Sequence, residues 1–344
     1  MIAIIGYFAE GRDATNGQTI KTRIIADQLE AVYGTDAIRR VDTCRGLRFL
    51  LRLPFVAKRT LSDCDSVVML PAQNGVHIIP LVFVLINLFY HRRLLYVVIG
   101  GWLHVHTKYD PILRLTLRRM HRIFPETLSM EQALSRQGIS NVAVMPNTKP
   151  LPIVDSSHFT QHSSPIRLCT FSRVSEDKGV GDAVKAVMAC NEQLQRTAFT
   201  LHIYGQVAPA GQSWFNKLQQ SFPAYVKYCG TVDYQDSVGV LCNYSALLFP
   251  TYYHGECFAG TFLDAFAAGL PVIASDWHDN GDIIRHGETG FIFPTHSVDA
   301  LRDILVAIAE NPDQLQPMRE ACLKCAHEYQ PENVIRTLTL DIDH

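Results

Sequence analysis

Short apolar runs alternate with longer amphipathic segments along the whole chain. In the first half, continuous apolar runs predict strands, with helical patterns between them, at 1–6, 37–41, 66–70, 94–99 and 142–145. The alternation starts again at Ile166 and predicts a second set of strands at 166–171, 199–204, 226–229, 246–249, 272–274 and 291–293. Strands that are apolar on both faces are typical of parallel sheets covered by helices. The chain is therefore predicted to be an α/β protein with two Rossmann-like, doubly wound domains, which should bind a ligand in a central cleft beyond the carboxyl ends of the strands.

Composition indicates where the two domains divide. Four prolines and two Ser-Ser pairs lie between residues 146 and 165, a composition typical of a linker. We expect a first domain at 1–150, a linker at 151–165 and a second domain at 166–324. The chain after Pro312 has a helical pattern, with breaks predicted at Pro317 and Pro331.

Charge is distributed unevenly between the halves. Residues 1–155 contain 19 Lys and Arg against 12 Asp and Glu, and the remainder contains 12 against 21. Basic residues concentrate in the segment 39–59, where they are interleaved with leucines and phenylalanines. This pattern fits either a surface that lies on anionic lipid or a helix with its leucines inside and its arginines in water. No recognition-helix or base-stacking motif accompanies it, so nucleic acid is not an expected partner.

One apolar run, at residues 76–90, bears on membrane contact. Its 15 residues fall short of the roughly 20 that span a bilayer, so it predicts either a buried core helix or a helix touching a membrane. The nine cysteines lack the regular spacing of a zinc site or a disulfide framework, which favours reduced thiols. Residues 1–6 lack the basic start of a signal peptide. These features predict a cytoplasmic protein, either free or at the inner face of the cell membrane.

The stretch 249–277 carries the chemistry most specific to a ligand. A strand turns at Pro250 into a polar loop, and a helix begins near Gly260. The free N–H groups at a helix start bind phosphate, and Gly260 allows close approach. Glu256 and Asp264 flank this start and can accept hydrogen bonds from hydroxyls. The combination predicts a ligand with phosphate in the middle and a polyol at each end, which is the shape of a nucleotide sugar.

Residues 256–264, ECFAGTFLD, followed by AFAAGLPV, resemble the donor-site signature E-x7-E of the retaining family-4 glycosyltransferases. The sequence departs from the common form E-G-F-G-x4-E at Cys257, Ala259 and Asp264. The resemblance implies the GT-B fold, with the last helix, at about 325–344, packed back on the first domain. It also implies that Glu256 contacts the donor sugar, that Asp264 contacts the ribose, and that the diphosphate lies at the helix start formed by Phe258, Ala259, Gly260 and Thr261.

Other segments match the same family. SRVSEDKG at 172–179 resembles its G-R-x4-K-G motif, which implies that Arg173 and Lys178 contact the donor phosphates. Without the resemblance, this segment would be a solvated loop whose own acidic residues pair with the cations. The resemblance also implies that Gly205 and Val232, after two later strands, line the nucleotide, although strand-end glycines alone indicate plain turns.

The first half offers three further candidates. The loop at 11–19 does not contain G-x-G-x-x-G. In the family this loop faces the donor phosphates and the acceptor, so the resemblance indicates Asn16 and Gly17, with a surface turn as the alternative. His104 follows another strand, where many relatives place a histidine near the reacting sugar. His104 and His106 have no nearby carboxylate or cysteine, so no metal is predicted.

The predicted function is that of a retaining glycosyltransferase. It would move a hexose from a nucleotide-diphosphate sugar, with UDP-sugars favoured over GDP- and ADP-sugars, to a saccharide or lipid-linked saccharide, as in polysaccharide biosynthesis. Arg173 and Lys178 would stabilise the leaving diphosphate without a metal. A synthase or phosphorylase of GT-B type is the nearest alternative, disfavoured by the greater length of those enzymes. A non-catalytic binder would have lost the cations or Glu256, and an NAD-dependent oxidoreductase would carry the missing glycine motif.

Overall fold

A computed structural model of the chain describes residues 1–9, 17–44, 47–73, 75–155 and 164–343. The chain divides into two compact units. Unit 1 comprises Met1–Pro150 and Tyr329–His344, and unit 2 comprises Leu151–Glu328. Each unit is built on one parallel sheet with helices between successive strands, so the predicted fold class of two doubly wound domains is confirmed.

The two sheets have five and six strands. In unit 1 the order is β2-β1-β3-β4-β5, and in unit 2 it is β11-β10-β9-β6-β7-β8. In both units the first strand lies between its successors, so the winding direction reverses there; open α/β sheets bind ligands at such points. The strands are Ile2–Gly6 (β1), Ile38–Asp42 (β2), Ser66–Leu70 (β3), Arg93–Val97 (β4), Arg122–Phe124 (β5), Ile166–Phe171 (β6), Phe199–Tyr204 (β7), Val226–Gly230 (β8), Ala246–Phe249 (β9), Val272–Ser275 (β10) and Gly290–Phe293 (β11).

Helices cover both faces of each sheet, because the strands between them are apolar on both sides. The helices are Gly17–Tyr33 (α1), Leu47–Asp63 (α2), Ile79–Asn87 (α3), Leu103–Tyr109 (α4), Pro111–Arg118 (α5), Leu128–Arg136 (α6), Val180–Gln193 (α7), Gln212–Gln219 (α8), Ser237–Leu241 (α9), Gly260–Ala267 (α10), Asn280–Ile283 (α11), Val298–Glu310 (α12), Leu315–Glu328 (α13) and Pro331–Asp343 (α14).

The core of unit 1 explains why the last helix belongs to it. Ile2 and Ile4 of β1 point to the face covered by α1 and α14, and Leu338 of α14 is fully buried in that cluster. Arg122 of β5 pairs with Asp341 of α14 at 3.1 Å. The helices α2, α3 and α5 pack against one another and contribute nothing to this cluster, so they cover the opposite face of the sheet.

Two local predictions are wrong. The segment 142–145 is not a strand, because Val142 forms only an isolated bridge to Ile123. The fifth strand is instead β5, which was missed because only two of its three residues are apolar and it begins with Arg122 after His121. Pro317 does not break a helix but lies in the first turn of α13, where its missing N–H would have no helical partner anyway. Pro331, by contrast, starts α14 after a break.

The apolar run at 76–90 forms α3, with Phe83 and Val84 buried in unit 1. Among the described residues, no helix combines the length and apolar character needed to cross a membrane.

Candidate functional site

The candidate residues of unit 2 meet where its sheet changes winding direction. Strand β6 lies between β7 and β9, and the loops after β6 and β9 leave from the same edge. The first loop carries Arg173 and Lys178, and the second carries Glu256. A single sheet thus brings together two segments about eighty residues apart in sequence.

Lys178 and Glu256 form a nearly buried ion pair. The Lys178 ammonium donates a hydrogen bond to Glu256 Oε2, and the two side chains are only 10% and 9% exposed. The ammonium also lies 4.9 Å from the ring centre of Tyr253 and 5.5 Å from that of Phe249, distances at which a cation is attracted to the ring face. The solvated-loop interpretation of Lys178 is therefore wrong, because its partner comes from the other loop.

Arg173 lies near the same aromatic ring as Lys178. Its guanidinium carbon lies 5.1 Å from the ring centre of Tyr253, while the residue remains exposed. A planar guanidinium can donate two parallel hydrogen bonds to phosphate oxygens. Two cations thus share Tyr253, one paired with Glu256 and one facing water.

A network of hydrogen bonds fixes Glu256. The Thr251 hydroxyl donates to Glu256 Oε2 at 3.1 Å, and the Glu256 N–H donates to the Tyr253 carbonyl at 3.0 Å. That carbonyl also accepts from the Trp277 indole at 2.8 Å, and the Thr251 carbonyl accepts from the Ser275 hydroxyl at 2.6 Å. The carboxylate is therefore held by the loop itself and by the end of β10.

Gly179 explains how the two loops come so close. Its φ is +68°, and a Cβ at this position would lie 1.9 Å from the Pro250 carbonyl oxygen. The Asp177 carbonyl meanwhile accepts the Tyr252 N–H at 2.8 Å. Glycine is needed here for the left-handed conformation and for the contact, which sets Lys178 directly against the β9 loop.

The start of α10 lies beside this pair. Gly260 is the first helical residue, and no side chain among the described residues caps the helix start. The Thr261 hydroxyl donates to the Phe171 carbonyl at 3.0 Å, which ties α10 to the end of β6, and Phe258 is buried. A Cβ at Gly260 would meet no atom within 4 Å beyond its own helix and chain neighbours. The site thus presents an uncapped, positively polarised helix end next to two cations.

Asp264 is buried on α10, at 6% exposure. It lies close enough to Tyr234, in the loop after β8, to affect that phenol: partial burial and then the negative charge of Asp264 raise the pKa of Tyr234 to about 12. Asp264 is therefore near the loop that carries Tyr234, and the ribose role of Asp264 remains a prediction.

Glycine is required at position 205 by the backbone conformation and by a close contact. Its φ is +133°, and a Cβ there would lie 1.8 Å from the Ser172 carbonyl oxygen. The end of β7 is thus pressed against the loop that carries Arg173. Val232 is half-buried after β8, at the edge of the sheet. The turn interpretation of Gly205 is supported by this contact, and its nucleotide role remains a prediction.

The candidates of the first half belong to unit 1. Asn16 lies outside the described residues, and Gly17 is the exposed first residue of α1. His104 is half-buried on α4, where its carbonyl accepts a hydrogen bond from Gln137 Nε2 at 2.8 Å. The roles of Asn16, Gly17 and His104 remain predictions.

No group of three or more His, Cys, Asp or Glu side chains suited to hold a metal ion occurs in the part of the chain that the structure describes. The expectation that the cysteines lack the spacing of a zinc site overlooks one C-x2-C pair, Cys322 and Cys325 on α13, both of which are buried. Burial raises the pKa of both thiols, which opposes the thiolate form that metals bind.

Sequence reasoning missed three residues that build the site: Thr251, Tyr253 and Tyr234. Thr251 and Tyr253 lie in the five residues before Glu256, so the signature could have been extended backward across the polar loop. Tyr234 carries no spacing signal, since only the fold brings the β8 loop to α10.

Comparisons with known proteins relate unit 2 to a described family. Residues 165–311 match the family described as "Glycosyl transferases group 1". D-rhamnosyltransferase WbpZ of Pseudomonas aeruginosa is 32% identical over 27% of this chain, and a phosphatidyl-myo-inositol mannosyltransferase of Mycobacterium leprae is 28% identical over 38%. The chain covers 25% and 32% of these two proteins, or about a quarter to a third of their length.

The solved structures that share this fold include two that match over nearly the whole chain. HepE of Anabaena, in complex with UDP, matches with a TM-score of 0.75 at 13% identity over 99% of both chains. A sucrose-phosphate synthase of Thermosynechococcus elongatus matches with a TM-score of 0.75 at 15% identity, over 99% of this chain and 98% of that one. At these identities the likeness establishes the fold and nothing of the activity. Because 98% of the synthase chain is covered, the expectation that synthases are much longer than this chain is wrong for this neighbour.

The chain therefore has the GT-B fold. Residues 165–311, which lie in unit 2, are similar to the glycosyl transferases of group 1.

Proposed function

We propose that the protein is a retaining glycosyltransferase of the family-4 type, which moves a hexose from a nucleotide-diphosphate sugar to a saccharide or lipid-linked saccharide hydroxyl. The observation that carries the proposal is the Lys178–Glu256 pair beside the uncapped start of α10, at the winding reversal of the sheet. The cations and the helix start suit a diphosphate, and the carboxylate suits the hydroxyls of a sugar.

In this proposal the donor replaces the contacts of the ion pair. The diphosphate takes Lys178 and Arg173, and the helix start at Gly260 adds its N–H groups. Glu256, released from Lys178, accepts hydrogen bonds from the hexose hydroxyls, and Asp264 accepts them from the ribose. Because both partners of the pair regain a partner in the complex, the exchange leaves no buried charge unpaired.

The same groups would promote transfer. Negative charge grows on the diphosphate as the bond between it and the anomeric carbon breaks, and two fixed cations with a helix start stabilise that charge more than they stabilise the bound donor. The acceptor oxygen forms the new bond to the anomeric carbon, and its proton leaves on the departing diphosphate. These cations supply the positive charge that a divalent metal supplies elsewhere, so we propose that transfer is independent of metal.

Relatives and neighbours support the choice of donor and acceptor. HepE of Anabaena is recorded in complex with UDP and with UDP-glucose, so a UDP-sugar is the proposed donor in preference to a GDP- or ADP-sugar. The relatives include the rhamnosyltransferase, the phosphatidyl-myo-inositol mannosyltransferase and an amylovoran biosynthesis glycosyltransferase of Erwinia amylovora. Polysaccharide biosynthesis is therefore the proposed setting.

The stereochemical test uses purified protein, a panel of UDP-sugars with α-linked hexoses, and saccharide acceptors, followed by proton NMR of the product. We expect an α-linked product and equal turnover with and without a chelator. A β-linked product would exclude the retaining assignment, and loss of turnover on chelation would exclude independence from metal.

A synthase of the same fold is the second candidate, favoured by the match to sucrose-phosphate synthase over nearly the whole chain. Sugar phosphates tested as acceptors beside free saccharides distinguish the two. Turnover only with a sugar phosphate would favour the synthase.

A further inference from the structure

The helix α2 in unit 1 has two apolar faces. Its inward face buries Phe49, Leu53 and Leu61, as a helix covering a sheet should. Its outward face carries Leu51 and Phe55, one turn apart, which are 73% and 78% exposed. A helix that covers a sheet normally has polar residues on its outward face. The exposed apolar residues of α2 therefore indicate a binding surface.

The end of α3 continues this surface. Leu85, Leu88 and Phe89 are 53%, 52% and 84% exposed, and α3 packs directly against α2. The two helices together form an open groove of about 610 Å³ lined by Pro54, Phe55, Lys58, Ile86, Phe89 and Tyr90. We call the outward side of α2 together with Leu85–Tyr90 the α2–α3 face.

Positive charge accompanies the apolar side chains. Arg48, Arg52, Lys58 and Arg59 are all exposed on α2. Between residues 43 and 125 the sequence has twelve Lys and Arg against three Asp and no Glu.

Each of these three aspartates is already engaged. Asp63 pairs with Arg39 and, at 3.8 Å, with Arg59 of this face, while Asp65 pairs with the amino terminus and Asp110 with His77. Among the residues that the structure describes, these carboxylates form no ion pair with Arg48, Arg52 or Lys58, so the face keeps an excess of positive charge.

We propose that the α2–α3 face docks on the surface of an anionic lipid bilayer. Phe55 and Phe89 would enter the boundary between head groups and acyl chains, and Arg52 and Lys58 would bind lipid phosphates. The core of a protein interface is depleted in charge, whereas here cations alternate with large apolar side chains at each turn, which favours lipid over a protein partner. The inference uses residues of unit 1 only, so it is independent of the donor chemistry assigned to unit 2.

The test is flotation of the full chain with vesicles of phosphatidylcholine alone or with 30 mol% phosphatidylglycerol, at about 50 mM and 500 mM salt. We expect flotation with the anionic vesicles at low salt, reduced by high salt and absent with the neutral vesicles. The double variant Phe55→Ser/Phe89→Ser and the double variant Arg52→Gln/Lys58→Gln should each weaken binding at least about tenfold, through lost burial and lost attraction respectively.

Matched controls in the same unit are Leu340→Ser, at 60% exposure on α14, and Arg136→Gln, exposed on α6. Both should bind as the unaltered chain does. The proposal is overturned if the unaltered chain does not float with anionic vesicles, or if the Phe55/Phe89 variant floats equally well. It is also overturned if light scattering shows a dimer that the Phe55/Phe89 variant abolishes, since a second copy would then cover the face. All variants should keep the unaltered melting temperature, because the substituted side chains are exposed.

Discussion

Each unit contains a buried Lys–Glu pair at the carboxyl edge of its sheet, and the two pairs differ in what surrounds them. In unit 1, Lys21 of α1 pairs with Glu126 after β5, and its ammonium also donates to the Val98 carbonyl at 3.0 Å. These side chains are 4% and 5% exposed. In unit 2, the Lys178–Glu256 pair is about twice as exposed and has aromatic rings around its ammonium.

The difference separates a structural pair from a pair available to a ligand. Lys21 is enclosed by groups of its own unit, so opening that pair would leave two charges buried. Lys178 forms an ion pair with Glu256, and its ammonium otherwise lies near aromatic rings. Because the exposed Arg173 is also near the Tyr253 ring, an anion that binds here can replace Glu256 as the partner of Lys178. The same two residue types thus serve the fold in one unit and, in our proposal, catalysis in the other.

The largest effect is expected on turnover. Lys178→Met removes a cation from the leaving group, so transfer from a UDP-sugar should fall about 10²–10³-fold while the protein stays folded. UDP release with a saccharide acceptor measures it. Lys185→Met is the matched control, because Lys185 is 66% exposed in the same unit; equal losses in both variants would contradict the comparison.

The next effect is on stability. Lys21→Met leaves Glu126 buried without its ammonium, so the free energy of unfolding should fall by about 3–5 kcal/mol. The double variant Lys21→Met/Glu126→Leu should recover most of it, since a buried pair can be replaced by apolar side chains at little cost. Urea denaturation followed by circular dichroism gives both values. A double variant no more stable than the single one would show that the pair is not merely structural.

Two glycines sharpen the contrast within unit 2. Gly179→Ala would force a Cβ against the Pro250 carbonyl at a left-handed φ, so the free energy of unfolding should fall by more than about 2 kcal/mol.

In Gly260→Ala, the added methyl group meets no neighbour, so the free energy of unfolding should rise by up to about 1 kcal/mol. Its methyl group, tilted toward the helix start, should still weaken UDP binding. Melting curves with and without UDP test both glycine variants. Unchanged UDP binding by Gly260→Ala would show that the start of α10 does not contribute to the UDP site.

The sequence was informative wherever a local pattern decided the structure. Apolar runs located most strands, and the spacing from Glu256 to Asp264 located the start of α10 within the site. It failed where tertiary contacts decided: β5 is three residues in a basic context, and Val142 only bridges to it. The sequence did not predict Glu256 as the partner of Lys178, because Glu176 and Asp177 are much closer to Lys178 along the chain.

The measurement that tests the central claim most directly is calorimetric binding of UDP and UDP-glucose to the unaltered chain, Lys178→Met and Glu256→Gln. We predict that Lys178→Met weakens both ligands by at least about tenfold, because the charged contact to the diphosphate is lost. Glu256→Gln should bind UDP at least as tightly as the unaltered chain, since Lys178 is then free, but should lose the added affinity for UDP-glucose. Equal affinities of all three proteins for both ligands would contradict the account.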